Sequence, residues 1–323
     1  MKRVLSGIQP SGQLHIGNYF GMMSRMIQYQ EQNELYCFIV DYHALTTIND
    51  RELLQSNTLN AAMDFLALGL DPNKATFWIQ SDVPQVTELT WLLSTVTGMG
   101  LLERATSYKD KIAHGISPNV GLFSYPILMA ADILCFGGDI VPVGKDQKQH
   151  LEMTRDIAQR FNKIYGDVFV IPDADINKTL QLIPGIDGQK MSKSYGNDIP
   201  IFADGKIIRK KIMSITTDST TIDKPKDKNT PLFQIYSLLL SDKEQKELGS
   251  RYDAPGLRYG DVKKELADKI IAYFQPYREK RDYLENHLDH VTQVLKDGAQ
   301  KASHTADKYL TKARAAMGLN YAK

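Results

Sequence analysis

Leu35–Val40 is an unbroken apolar run, Leu-Tyr-Cys-Phe-Ile-Val, and such a run forms a strand that must be covered on both faces. It recurs in a pattern. Arg3–Gly7, Ala75–Gln80, Ile140–Val143 and Val168–Ile171 read as further strands. Helical patterns separate them: one opening near Gly17–Asn18, then Arg51–Leu68 closed by Gly69 and the Asp71-Pro72 turn, Gln85–Thr97, and Gln147–Tyr165. Strand–helix alternation implies right-handed crossovers and a parallel sheet with helices on both faces, a Rossmann-like α/β domain. Ligands of such sheets bind beyond the carboxyl ends of the strands. Pro10–Asn18, Asp41–His43 and Gly144–Gln147 all fall there.

After about Pro184 the strand signal stops. Lys206–Met213, Pro231–Leu240, Asp242–Arg251 and a long stretch from Tyr259 to the end read as helices, with polar Thr216–Thr230 as a connection. The predicted division is 1–183 for the α/β domain and 184–323 for a helical domain, whose last helix could return to the first. Net charge is +1 but uneven: 14 Lys and Arg against 19 Asp and Glu up to Ile183, and 25 against 19 beyond it. A basic second half suits a polyanion, although solvated helix faces give the same count. No apolar stretch approaches the ~20 residues of a membrane span, and Met1–Gly7 lacks a signal-peptide core. Cys37 and Cys135 lie inside apolar runs without metal-ligand spacing and read as buried thiols. A cytoplasmic location is expected.

Two segments carry chemistry. Ser6-Gly7-Ile8-Gln9-Pro10-Ser11-Gly12 is a turn of small residues and Pro where a bulky nucleotide can approach the backbone. The helix behind it offers His15 and Asn18 as donors, while Gly17 and Gly21 leave its face bare. Far along the chain, Lys190-Met191-Ser192-Lys193-Ser194 forms a mobile-looking loop bounded by Gly185, Gly188 and Gly196. Its lysines can answer negative charge on a phosphate.

In this order, the two segments resemble the nucleotide-binding motifs of class I aminoacyl-tRNA synthetases. The likeness extends to Asp41-Tyr42-His43-Ala44-Leu45-Thr46, Gln80-Ser81-Asp82-Val83-Pro84, Ser124–Leu134, Val141–His150 and the terminal Ala315–Leu319. Over essentially the whole chain these resemble the bacterial, tryptophan-specific branch of that family. The resemblance implies a catalytic Rossmann-like domain, a helical anticodon-binding domain, and ATP-dependent formation of tryptophanyl-adenylate followed by transfer to tRNA. It also implies Mg²⁺ arriving with ATP rather than in a dedicated protein site. A homodimer is implied, with the segment Val83–Leu102 as contact surface.

By the same resemblance, Lys190, Lys193, His15, Asn18 and Lys111 are the catalytic candidates. Lys109 and Lys111 read almost equally well as a solvated pair. The ATP-binding candidates are Gln9, Ser11, Gly17, Asn18, Gly21, Gly144, Asp146, Met191, Ser192, Lys193 and Ser194, with Gly144 and Asp146 at the adenosine. Tyr125 and Gln147 would hold the α-ammonium group of the amino acid. His43 and Gln9 would lie near its polar end, with Leu5, Gly7, Val141 and Val143 lining the pocket. The residues argue independently for an indole: Tyr125, Met129 and Asp132 fall at i, i+4 and i+7 on one helical face, with Pro126 expected in its first turn. Met129 would lie against the ring and Asp132 accept its N–H. Gly144-Lys145-Asp146-Gln147 has a single glycine where the tyrosine enzymes usually carry a pair, so a tyrosine-specific enzyme is the alternative. A non-catalytic sensor of tryptophan or RNA is a second. Such a sensor would be free to lose His15, Lys190 or Lys193, and the chain keeps all three. Two cysteines, neither in the second half, exclude a four-cysteine iron–sulfur site.

Overall fold

The computed structural model describes residues 1–10, 12–105, 108, 115, 117–144, 147–176 and 183–321. Two compact units divide the chain. The first comprises Met1–Gly12, Met26–Lys178 and His287–Lys323; the second comprises Gln13–Arg25 and Thr179–Asn286.

In the first unit, β1 (Arg3–Ile8), β2 (Glu34–Ile39), β3 (Ala75–Ile79), β4 (Ile140–Val143) and β5 (Asp173–Ile176) form one parallel sheet in the order β3-β2-β1-β4-β5. The order reverses between β1 and β4, the crevice where doubly wound sheets take ligands. The apolar run of β2 is buried on both faces. On one face Phe38 stacks on Trp78, with centroids 4.9 Å apart, and Phe136 closes edge-on at 5.0 Å from Trp78. On the other, Phe77 meets Phe65 of the helix Arg51–Ala67, and Cys37 meets Met26.

The last helix, Leu288–Ala316, belongs to this unit and packs on β3. A Cβ added at Gly298 would sit 1.8 Å from the carbonyl oxygen of Phe77, so glycine is what allows helix and strand backbones to meet. Seven residues on, Thr305 shares a buried hydrogen bond of 2.9 Å with the Tyr36 hydroxyl.

Several expectations are corrected. The fifth strand is Asp173–Ile176, not Val168–Ile171. The N–H groups of Val168 and Phe169 donate to Asn162 Oδ1 at 3.1 and 2.9 Å, and the Phe169 carbonyl accepts from the same amide at 2.8 Å, which removes them from any ladder. Pairing begins only where Asp173 N–H reaches Asp139 O at 2.8 Å. Pro126 is not in a first turn: the helix starts at Val120, capped by Asn119, and runs through Pro126 to Leu134. The helix expected over Gln85–Thr97 ends at Ser94, and that over Pro231–Leu240 ends at Ser237. The stretch from Tyr259 is two helices, Tyr259–Glu285 and Leu288–Ala316, interrupted at Asn286 and His287.

The second unit is helical, with Gly205–Met213, Pro231–Ser237, Asp242–Asp253 and Tyr259–Glu285. Gln13–Arg25 joins it through aromatic packing: Tyr19 contacts Tyr273, Phe274 and Tyr277 with centroids between 5.2 and 6.1 Å. The connection Thr216–Thr230 is anchored by Lys226, whose buried ammonium donates to the carbonyls of Thr220 and Thr221 at 2.5 and 2.6 Å. Among the described residues no helix is long and apolar enough to cross a membrane.

Gly298→Ala is expected to destabilise the protein by about 1–3 kcal/mol, the usual cost of forcing atoms into a filled contact. Gly260→Ala, with nothing within 4 Å of the added Cβ, is expected to be neutral or stabilising by less than about 1 kcal/mol. Urea midpoints of the two variants measure the difference, and equal midpoints would contradict the helix–strand contact.

Candidate active site

Asp132 lies in the last turns of the helix Val120–Leu134, almost fully buried. A carboxylate there is costly unless donors surround it. Gln80, immediately after β3, directs Nε2 to both oxygens at 2.7 and 2.8 Å, and His43 Nε2 reaches Oδ2 at 2.8 Å. The Gln80 amide has a defined orientation, because its Oε1 accepts the N–H of Tyr42 at 3.1 Å. Asp41 ties the two loops together by accepting the N–H groups of Tyr42 and Ser81, both at 3.1 Å. Burial pushes the Asp132 carboxyl above its ordinary range, while His43 and Gln80 pull it back.

Tyr125, one face along the same helix, carries a second hydrogen-bonded chain. Its hydroxyl meets His150 Nε2 at 2.6 Å, and His150 Nδ1 meets Gln147 Oε1 at 3.0 Å. An amide oxygen only accepts, so Nδ1 carries the proton and Nε2 accepts the phenol O–H. The Tyr125 and His43 rings approach edge-on with centroids 6.2 Å apart, so the two chains adjoin. Met129 and Val143 pack beside buried Ile133, Val141 and Leu151. This gives an apolar surface with a carboxylate, an amide and a phenol around it.

Within the first unit the structure links His43 with Asp132 and Tyr125 with Gln147 through His150, brings the His43 and Tyr125 rings into contact, and packs Met129, Val141 and Val143 in one apolar cluster. His43 is against Asp132 itself, whereas the sequence reading had set the two apart. Leu5 is in the core, where a Cβ at Gly138 would come 2.3 Å from it. Gly7 and Gln9 are exposed at the carboxyl end of β1, and Gly144 is half-buried after β4. Ser11, Lys109, Lys111 and Asp146 lie outside the described residues. Gln80 and His150 were quoted in the sequence without a role. Gln80 has no local signal, because Asp132 is 52 positions away, and the role of His150 shows only when Tyr125, 25 positions away, joins its near neighbour Gln147.

The second unit holds the other motif pair. Ile16 N–H donates to Ile199 O at 3.0 Å, Ile201 N–H donates to Leu14 O at 3.1 Å, and His15 bridges Pro200. The first motif is thus hydrogen-bonded to the chain just beyond the lysine loop. A Cβ at Gly17 would lie 2.9 Å from His15 Nδ1 and 3.2 Å from Met191 Cβ, so glycine there lets both side chains cover the helix start. Asn18 Oδ1 accepts the His15 N–H at 3.0 Å, and Gly21 is half-buried. Met191 is buried while Lys190 and Lys193 are exposed. The Ser192 and Ser194 hydroxyls share a hydrogen bond of 2.8 Å.

His15 is buried, and its Nδ1 has no hydrogen-bond partner among the described residues. A buried polar atom of this kind is suited to a ligand. Burial holds the imidazole below its ordinary pKa; Asp198 opposes this and Lys193 adds to it. The ring is consequently neutral at physiological pH and can accept or donate at Nδ1.

Residues 1–275 match the family model described as tRNA synthetases class I (W and Y). The chain is 52% identical over 320 residues to the tryptophan–tRNA ligase of Fusobacterium nucleatum, covering 99% of this chain and 98% of that one. It is similar to the crystal structure of Campylobacter jejuni tryptophanyl-tRNA synthetase complexed with ADP and tryptophan. That match has a TM-score of 0.93 and 50% identity, over 98% of this chain and 100% of the other. The Mycoplasma pneumoniae tryptophanyl-tRNA synthetase gives a TM-score of 0.82 at 33% identity, over 99% and 98% of the two chains.

A lowered histidine pKa sets a sign. Below pH ~6.5 the unfolded chain takes up a proton at residue 15 before the folded one does, so stability falls as pH drops through that window. Between pH 7 and 5 the urea midpoint is expected to fall further for the wild type than for His15→Asn. Parallel curves would rule out a buried neutral imidazole.

Proposed function

The chain belongs to the class I tRNA synthetases of the tryptophan and tyrosine group, and we propose a division of labour among its residues for the reaction of a tryptophan–tRNA ligase. That reaction joins L-tryptophan to tRNA in two steps. A carboxylate oxygen of tryptophan attacks the α-phosphorus of ATP in line; the bond to the β-phosphate breaks and pyrophosphate leaves. A hydroxyl of the terminal tRNA ribose then attacks the adenylate carbonyl, and AMP leaves. A carboxylate nucleophile needs no general base, so positioning and charge stabilisation carry the first step.

The observation that carries the amino-acid assignment is the buried Asp132 carboxylate. An ionised carboxylate offers about four lone-pair directions. Gln80 and His43 account for three contacts, and the indole N–H takes the remaining direction. Met129 lies against the ring, with Val141 and Val143 beside it. Tyr125 and Gln147, oriented by His150, receive the α-ammonium group. His43 fixes Asp132, and Leu5 and Gly7 shape β1 beneath the site. A buried acceptor left without its donor is costly, so amino acids that do not place a donor where the indole N–H lies are rejected.

For ATP, exposed Lys190 and Lys193 supply positive charge to the departing pyrophosphate, with Ser192 and Ser194 as neutral donors and Lys111 as a further cation. The unsatisfied Nδ1 of His15 faces the nucleotide with Asn18. Gly17 and Gly21 admit it, Gln9 and Ser11 border it, Met191 roots the loop, and Gly144 and Asp146 hold the adenosine. Mg²⁺ enters with ATP, held by phosphate and water oxygens. The basic second half, 25 Lys and Arg against 19 Asp and Glu, supports tRNA as the polyanionic partner. Trp91 and Met99, 71% and 62% exposed within Val83–Leu102, support a homodimer. Trp91→Glu is expected to shift sedimentation toward the monomer, and an unchanged monomeric or dimeric profile would remove that surface from consideration. The free thiols and the absence of a membrane-spanning helix among the described residues support a cytoplasmic location.

ATP–pyrophosphate exchange tests the reading. Exchange is expected with tryptophan and not with phenylalanine or tyrosine. In Asp132→Asn, kcat/KM for tryptophan is expected to drop roughly 10–100-fold, the worth of one hydrogen bond to a charged group, with the KM for ATP nearly unchanged. Wild-type exchange with tyrosine would overturn the tryptophan assignment, and no exchange would favour a sensor.

A further inference from the structure

Asn197 lies just past the lysine loop and is 2% exposed. Its side chain is engaged on both ends. Oδ1 accepts the N–H of Ser192 at 2.8 Å; Nδ2 donates to the Lys190 carbonyl at 3.1 Å and to Asp187 Oδ1 at 2.8 Å. Its own carbonyl accepts the N–H of Ile186 at 2.9 Å. One residue thus grips the backbone on each side of Met191 and ties it to the turn at Asp187. The turn is shaped to receive it: a Cβ at Gly185 would lie 2.4 Å from Asn197 Cγ and 2.7 Å from its carbonyl oxygen. Gly196, with φ +64°, closes the 3₁₀ turn Lys193–Tyr195 and directs the chain inward at Asn197. Asp187 accepts the N–H of Gln189 at 3.0 Å as well, and these donors hold its carboxyl below the ordinary range.

We infer that Asn197 is a positioning residue for adenylate formation: its carboxamide, seated against Gly185, fixes the backbone of Lys190 and Ser192 so that the loop's cations meet the leaving pyrophosphate without first being ordered. This rests on the reading of the loop as the pyrophosphate-facing element. The physical reason is that a floppy loop would have to lose its conformational freedom in the transition state, whereas a preorganised one adds its full charge stabilisation there. Misplacement by about 1 Å is enough to cost on the order of 100-fold in rate. The lysine side chains and the turn Lys193–Tyr195 are exposed.

Three variants separate positioning from mere stability. Asn197→Asp keeps the acceptor for Ser192 but loses both donated bonds and sets a second carboxylate against Asp187. Asp187→Asn, added to it, removes the like-charge pair. Gly185→Ala keeps the carboxamide and pushes it out of place. Exchange is measured per active site, after titrating the sites that form adenylate, beside tryptophan KM, thermal midpoint and the rate of tryptic cleavage after Lys190 and Lys193.

Asn197→Asp and Gly185→Ala are each expected to lower kcat per site roughly 10–100-fold, leave tryptophan KM within about twofold, and speed loop cleavage several-fold; the double variant should recover much of the loss. An unchanged kcat per site, with only the thermal midpoint or the active fraction reduced, would overturn the inference. So would a loss of rate with no change in cleavage. If the wild type itself shows no tryptophan-dependent exchange, the functional reading fails first and takes the inference with it. Unchanged cleavage in variants of an active enzyme sinks the inference alone.

Discussion

A buried carboxylate organises the amino-acid end of this protein. Removing the Asp132 charge from water costs several kcal/mol unless donors replace the lost hydration, and its donors come from two different strand ends. Gln80 follows β3 and His43 follows β2, so both loops must turn toward the same helix. Asp41 makes this possible by binding backbone N–H groups in both loops. The strands beneath are in turn held in register by the double-sided apolar packing of β2 and by the close contact of the last helix with β3. Fold and site are therefore coupled through one charge: weaken the sheet edge and the donors separate; remove the donors and the carboxylate becomes a liability.

The strands whose residues are buried on both faces were legible from sequence, because burial demands apolar runs and such runs are rare elsewhere. β5 was not. Its Asp-Ala-Asp-Ile sequence sits at the sheet edge, where one side needs no apolar cover, while the more apolar Val168–Ile171 is drawn away by the Asn162 amide. Pro126 misled for a related reason: a helix tolerates a proline in its interior when packing on its buried face outweighs the missing N–H. The interruption at Asn286 and His287 left little trace, since helical periodicity continues on both sides of it.

The candidate site divides in the same way. Motif residues stood out because their density of glycine, serine and lysine suits neither a core nor an ordinary helix face. Gln80, His150 and Asn197 did not stand out, because a single polar residue means nothing in sequence until its partner is known. Asp132 was recognisable from its face of the helix, but its pairing with His43 required the loop after β2 to be placed. The grouping of Gln13–Arg25 with the second unit was likewise invisible. It depends on contacts between residues far apart in sequence, among them the backbone hydrogen bond from Ile16 to Ile199 and the packing of Tyr19 on Tyr273, Phe274 and Tyr277.

The two cysteines have a chemical consequence of their own. Cys37 and Cys135 are fully buried, and burial drives both thiols far above the pH at which a thiolate would form. Thiolate is the species that reacts with peroxide, alkylating agents and disulfides. The sequence contains no other cysteine, so the folded molecule presents no thiolate to its surroundings. Oxidants that disable thiol-dependent proteins would have to unfold this one, or oxidise an exposed methionine such as Met22 or Met99, before reaching anything it depends on.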